Sequence, residues 1–163
     1  MDPLRHLLAV DERQVLEFFF TGLRDVTSDE AVDSQALLYN ASILAHFAST
    51  STASTGRLPQ LSGLVEVFDR FVLDATFRGD PDLMEWGAAH CLLFTGFFGD
   101  QFRRRHNLEW YGHVGSGFYM SAAVASVDAL RRGMLERMAR EFSAWRRRHE
   151  QLSRELRKPI TIQ

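Results

Sequence analysis

The chain has 163 residues, of which 45% are apolar and 25% charged, so it can bury a core and is far from the composition of a disordered protein. Its formal net charge of −2 excludes a whole-molecule attraction to nucleic acid or to an anionic membrane. Cys91 is the only cysteine, which excludes an internal disulfide and a zinc site built from several thiolates.

Helical spacing of apolar residues, rather than strand alternation, runs through the first half of the chain. Residues 11–24 predict a first amphipathic helix, and a second is expected to end near residue 48. Thr27 with Glu30 predicts a capping box at the start of the second helix. The serine- and threonine-rich residues 49–57 offer little to pack and predict a flexible surface loop.

Two further helices are predicted before residue 100. The third runs from about residue 62 to residue 78. Asp80 and Pro81 then supply the N-cap and the first turn of a fourth helix, which extends to about residue 98. Because the fourth helix carries no charge after Glu85, we expect it to lie at the centre of the fold. Cys91 lies within it among apolar neighbours and is predicted to be buried and inert.

The balance of charge reverses at residue 100. Residues 1–100 hold six basic and 15 acidic side chains, whereas residues 101–163 hold 13 basic and six acidic ones. After an arginine-rich connection, a helix is expected to resume at about Leu108. Its uncharged stretch, residues 110–127, contains too many glycine and serine residues to insert favourably into lipid, so no membrane span is predicted.

The closing helix is the most regular feature of the sequence. It is predicted to begin near Asp128 and to continue from Met134 to Lys158, where no glycine or proline occurs. Its apolar seam resembles a short coiled coil and has more apolar surface than one small domain covers. A second copy, or a protein with an acidic or apolar groove, is therefore expected over it. The predicted interaction surface consists of Met138, Phe142, Trp145, His149, Leu152, Leu156, Arg147 and Arg154.

These elements together predict an all-α fold. We expect a single-domain bundle of five or six helices over residues 1–158, with a long amphipathic C-terminal helix and an extended tail at residues 159–163. The first functional hypothesis is a cytoplasmic interaction, adaptor or regulatory subunit that self-associates. The first residues lack the pattern of a secretory signal, in keeping with a reducing cytoplasm. No nucleophile, base and orienting group can be assembled from the spacing, so no catalytic residue is predicted.

A small-molecule, metal or haem-binding protein is the second hypothesis. His46, His90 and His113 lie on three different predicted helices, but none is part of a His-Glu-x-x-His or Glu-x-x-His motif, so the spacing itself predicts no metal and no cofactor. Instead of a metal site, this hypothesis proposes a polar pocket that holds a small anion. The residues proposed for it are His90, His113, Tyr119, Tyr39, Asp100 and Arg103.

Nucleic-acid binding through the last helix is the third hypothesis and the least favoured. Its arginines could follow a phosphate backbone, but glutamates interrupt them and no helix-turn-helix signature precedes them. The basic residues nearest to one face are Arg137, Arg140, Arg147, Arg154 and Lys158.

The segment from Ala88 to Ala123 carries an ordered motif. Gly-Phe-Phe, an arginine-rich turn, a tyrosine, Gly-x-x-x-Tyr and an alanine-rich helix follow one another. This order resembles an uncharacterised family of bacterial all-helical proteins, which implies a helical fold and no transferable activity. Gly99 departs from the motif, because the family has proline there. The matching residues are Phe94, Gly96, Phe97, Phe98, Arg103, Arg104, Arg105, Tyr111, Gly115 and Tyr119, with a weaker match at residues 37–40 and Phe47.

Overall fold

A computed structural model describes residues 3–55, 80–104 and 107–158. Every regular element in these ranges is helical, which confirms the predicted fold class. The chain divides into two compact units, Met1–Leu64 and Val65–Gln163, where the sequence predicts one domain. The predicted third helix and the C-terminal tail lie outside the described residues. Among the described helices, none has both the length and the apolar character needed to cross a membrane.

The described residues of the N-terminal unit form two helices that pack against each other. These are α1 (Pro3–Val26) and α2 (Ser34–Thr55). Leu23 from α1 and Leu44 from α2 are among the buried residues of this unit, as the helical spacing predicts.

Two details of this unit differ from the sequence prediction. Thr27 does not open a helix: it follows α1, and its hydroxyl donates to the Leu23 carbonyl at 2.8 Å. The residue that caps α2 is Asp33, whose carboxylate accepts from the Ala36 amide at 3.1 Å. In addition, α2 continues to Thr55, so residues 49–55 of the predicted loop are helical.

The C-terminal unit contains five α-helices and one π-helical segment among its described residues. N-caps fix the starts of three of these helices, because the side chains of Asp80, Asn107 and Asp128 accept hydrogen bonds from first-turn amides. The helix starts predicted after Asp80 and near Asp128 are therefore confirmed. The elements are α3 (Pro81–Leu92), the π segment (Leu93–Phe97), α4 (Gly99–Phe102), α5 (Leu108–Ala125), α6 (Ala129–Arg140) and α7 (Phe142–Leu156).

The π segment replaces the last part of the predicted fourth helix. The Phe98 amide donates to the Leu93 carbonyl, five residues back, at 2.8 Å. Gly96 lies directly under α7: a Cβ atom there would be 2.9 Å from the Arg146 carbonyl oxygen and 2.9 Å from the His149 Cβ. The absence of a side chain at Gly96 therefore permits this close packing.

The predicted single closing helix is wrong, because the chain breaks at Glu141 into α6 and α7. Glu141 has φ −98° and ψ 13°, outside helical geometry, and it serves as both the C-cap of α6 and the N-cap of α7. Neither glycine nor proline marks this break. The two helices pack on different neighbours, α6 on α5 and α7 mainly on the π segment.

The structure also shows which residues of the predicted interaction surface are exposed and which are buried. Most of its apolar residues lie in the core of the C-terminal unit, so a second copy is not needed to cover them. Leu156 is 43% exposed, Arg147 is exposed, and Arg154 takes part in ion pairs. The residues of that surface that are buried are Met138, Phe142, Trp145, His149 and Leu152.

Candidate functional site

Phe142, the first residue of α7, anchors the C-terminal unit at the helix break. Its ring lies against Gly115 of α5, where an added Cβ would be 2.7 Å from the Phe142 Cζ and 2.6 Å from the Cys91 Cβ. The same ring passes near Gly112, one helical turn earlier. The small residues of α5 thus let α3 and α7 approach it closely, and this fixes where the ends of α6 and α7 lie.

A polar cavity of about 300 Å³, which we call the arginine crevice, lies where the ends of α6 and α7 meet α5. The hydroxyl of Ser116 donates to the Ala139 carbonyl at 2.8 Å and so satisfies an acceptor in the last turn of α6. The C-terminus of α6 and the N-terminus of α7 carry opposite partial charges, which offset each other here. The net charge of the arginine crevice therefore comes from its side chains. The lining residues are Glu109, Gly112, His113, Ser116, Ala139, Arg140, Phe142, Ser143 and Arg146.

Arg140 and Arg146 give the arginine crevice its positive charge. Within the part of the chain that the structure describes, neither guanidinium has an ion-pair partner. Glu109 supplies one negative charge, which leaves an excess of one positive charge when His113 is neutral. Guanidinium groups recognise carboxylates and phosphates through paired N–H donors, and Ser143 adds a hydroxyl at the same cavity.

An apolar cavity of about 430 Å³, the aromatic cleft, borders the other side of His113. Trp110 is 44% exposed, whereas Met84 of α3 is buried. Gly117 also lines the cleft, and a Cβ atom there would have nothing within 4 Å among the described residues. The remaining lining residues are Val114, Phe118 and Ser121.

Asp100 and Arg103 belong to a separate ion-pair cluster near the C-terminal end of α7. Both Asp100 carboxylate oxygens accept from the Arg154 guanidinium at 3.0 Å, and Arg157 donates at 2.8 Å. The hydrogen bond from Arg154 is the largest cause that lowers the pKa of Asp100 to about 2. Arg103 contacts Asp100 at 3.6 Å and Glu150 at 3.1 Å. These groups satisfy one another and link α4 to α7.

The other predicted ligand residues do not meet in one pocket. Tyr119 is fully buried beside Phe142, with ring centroids 6.2 Å apart. The His90 ring lies 3.9 Å from that of Trp86, and its Nδ1 is 2.8 Å from the Trp86 carbonyl oxygen. Tyr39 belongs to the N-terminal unit. Of the six residues proposed from the sequence, His113 alone lines a cavity described above.

No group of three or more His, Cys, Asp or Glu side chains in the described residues could hold a metal ion. Cys91 is buried, as predicted, and burial raises the pKa of its thiol. The chain matches no protein-family model, no curated protein and no solved structure. The resemblance to the bacterial helical family therefore stays a prediction from the motif.

The residues that surround His113 are not predicted from the sequence. The sequence places Arg140 on a stripe along one long helix and gives Arg146 no role of its own. Their approach to the same cavity depends on the break at Glu141, which no local signal predicts. The sequence spacing places Glu109, His113 and Ser116 near one face of α5. It does not show which helices pack against that face.

Proposed function

We propose that the C-terminal unit is a small-molecule-binding module that takes an organic anion in the arginine crevice. One observation carries the proposal: two arginines without ion-pair partners among the described residues line one cavity with a histidine and two serines. A carboxylate or phosphate group would supply the counter-charge and accept their N–H groups. Binding sites of this kind combine concave shape with a few convergent polar groups. The role proposed is binding, with no catalytic residue assigned.

Arg146→Gln is expected to weaken the binding of acetate and inorganic phosphate by about tenfold or more. A charge-assisted hydrogen bond contributes roughly 1.5–3 kcal/mol, and this substitution removes one while leaving no buried carboxylate unpaired. Titration calorimetry or NMR titration of the full chain measures the dissociation constants. The two probes also distinguish a carboxylate site from a phosphate site.

Arg147→Gln is the matched control, because Arg147 is the next residue on α7, is exposed and does not line the crevice. Its affinities should equal those of the wild type. Equal binding by the Arg146 and Arg147 variants would contradict the proposed site, as would a wild-type protein that binds neither anion.

Self-association is the second candidate function, and a different surface favours it. The corner between α5 and α6 exposes Val124 (74%), Val127 (97%) and Leu130 (85%), an unusual density of apolar side chains. Beside this corner, Arg131 pairs with Asp82 at 3.0 Å and with Glu85. Because both charge signs border one apolar patch, the patch suits an isologous contact with a second copy of the chain.

Val127→Glu is expected to convert such an assembly into monomers at tens of micromolar, because it places a charge at the centre of the apolar corner. Light scattering with size-exclusion chromatography measures the mass. Gln151→Glu, which adds the same charge at an exposed position of α7, should leave the mass unchanged. A wild-type chain that is already monomeric at this concentration would exclude self-association.

The structure gives less support to nucleic-acid binding. Arg131, Arg154 and Arg157 are each engaged by carboxylates, so their charges are partly neutralised. This hypothesis stays a prediction, and retention on heparin at rising salt concentration would measure it.

A further inference from the structure

The arginine crevice and the aromatic cleft are neighbouring parts of one surface on α5. Residues of an α-helix are spaced by about 100° around its axis, so His113 lies about 40° from Glu109 on one side and about 60° from Trp110 on the other. Glu109 lines the crevice, Trp110 lines the cleft, and His113 lines both. The histidine is therefore the border between a positively charged cavity and an apolar one.

The two cavities differ in the chemistry that they offer. The crevice presents two guanidinium groups and hydroxyl groups beside one carboxylate, that of Glu109. The cleft instead presents an indole, a phenyl ring, a thioether and a valine. Neither cavity alone combines an anion site with an apolar site. A ligand that lay across His113 would meet both, with its charged group near Arg146 and its apolar body beside Trp110.

Two features of the cleft point to an occupant rather than to incomplete packing. Trp110 keeps 44% of its surface exposed although it borders a concave, mostly apolar wall. A Cβ atom at Gly117 would have no atom of the described residues within 4 Å, so the wall of the cleft is open at this position. At about 430 Å³, the cleft is within the usual range for cavities that bind small molecules.

We infer that the bound anion is the head group of an amphipathic ligand, an aryl or alkyl carboxylate or phosphate, whose apolar body lies in the aromatic cleft. This inference rests on the proposed anion binding and adds the chemical class of the ligand. Burial of the apolar body supplies affinity, and the arginines orient the ligand by holding its charged end.

The experiment compares acetate with benzoate and octanoate, which share the carboxylate and differ in the apolar body. Benzoate or octanoate should bind at least about tenfold more tightly than acetate, because each transfers apolar surface from water into the cleft. A preference for benzoate identifies an aryl body, and a preference for octanoate identifies an alkyl body. Equal affinities for all three anions would overturn the inference while leaving the proposed anion site in place.

Gly117→Leu tests the cleft directly, because Gly117 lines it and a Cβ atom there meets no described atom within 4 Å, so that the new side chain can extend into the cleft. This variant should bind benzoate no more tightly than acetate, with acetate affinity unchanged. Gly133→Leu is the matched control, since Gly133 of α6 also has open space around it but does not line the cleft. It should retain the preference of the wild type.

Trp110→Ser is a second variant of the cleft, and it tests the inference even if Gly117→Leu does not fold. It should reduce benzoate affinity by about tenfold and leave acetate affinity unchanged, because Trp110 lines the cleft and not the crevice. Unchanged benzoate binding in both variants would overturn the inference. Loss of acetate binding in the wild type itself would instead overturn the proposed function and the inference together.

Discussion

Replacing Gly115 by alanine should destabilise the C-terminal unit by about 2–3 kcal/mol, the cost typical of an overpacked core. The new methyl group would be 2.6 Å from the Cys91 Cβ and 2.7 Å from the Phe142 Cζ. The Cys91 Cβ is fixed to the backbone of α3, so it cannot yield by rotation of a side chain. Relief of the clash therefore requires α3, α5 and α7 to move apart, which disturbs the core around all three helices.

The matched control is the same substitution two residues away in the same helix. Gly117→Ala meets no neighbour within 4 Å and should stabilise the unit by about 1 kcal/mol, because alanine favours the helix over glycine. All three tryptophans, Trp86, Trp110 and Trp145, belong to the C-terminal unit. Tryptophan fluorescence during urea denaturation therefore reports on this unit. Equal stability of the two alanine variants would contradict the close approach of α3 and α7 at Gly115.

The C-terminal unit should also lose stability as the pH falls below about 6.5, owing to His149. This side chain is fully buried, and burial lowers its pKa from 6.5 to about 3. In the unfolded chain the imidazole takes up a proton below pH 6.5, whereas in the folded unit it stays neutral until about pH 3. The unfolded state is therefore favoured by about 1.4 kcal/mol for each pH unit in this interval, or about 3 kcal/mol at pH 4.

His149→Gln isolates this contribution, because glutamine stays neutral across the whole interval. The difference in unfolding free energy between wild type and variant should change with pH between 6.5 and 4. The pKa of Asp100 is lowered to about 2, so its stabilising contribution is complete above pH 3.8 and is lost only below that value. A His149 variant with the pH dependence of the wild type would show that this side chain is not buried in the neutral form.

The parts of the fold that were predictable are those that depend on neighbouring residues in the sequence. Asp80 with Pro81, and Asp128, mark helix starts because their carboxylates reach amides two or three residues later. The break at Glu141 depends instead on Phe142 reaching Gly115 and on α7 packing over Gly96, contacts between residues far apart in the chain. Composition predicts a loop at the serine- and threonine-rich residues 49–55, yet the cost of these residue types within a helix is small enough for α2 to include them.

The candidate site could likewise be predicted only in part, because it depends on contacts between residues far apart in the chain. The sequence proposes His113 as one of three histidines on three different predicted helices, and it does line both cavities. The sequence also proposes Tyr119 as a ligand residue, and it lies in the core. The difference between them is the face of α5 on which each residue lies, and that face is fixed only when α3, α6 and α7 take their places around the helix.

The π segment has a consequence for how much the length of this part of the chain can vary. A π turn holds one residue more than the equivalent α-helical turn. The extra residue changes the direction, around the helix axis, in which the side chains after it point. With this extra residue in place, the Asp100 carboxylate points toward Arg154 and Arg157. Deleting one residue from Leu93–Phe97 would rotate the following turn by about 100° and turn the carboxylate away from both arginines. The spacing between Leu93 and Asp100 is therefore constrained in addition to the buried side chains of Leu93, Phe94 and Thr95, and a one-residue insertion or deletion would break the ion pairs of Asp100.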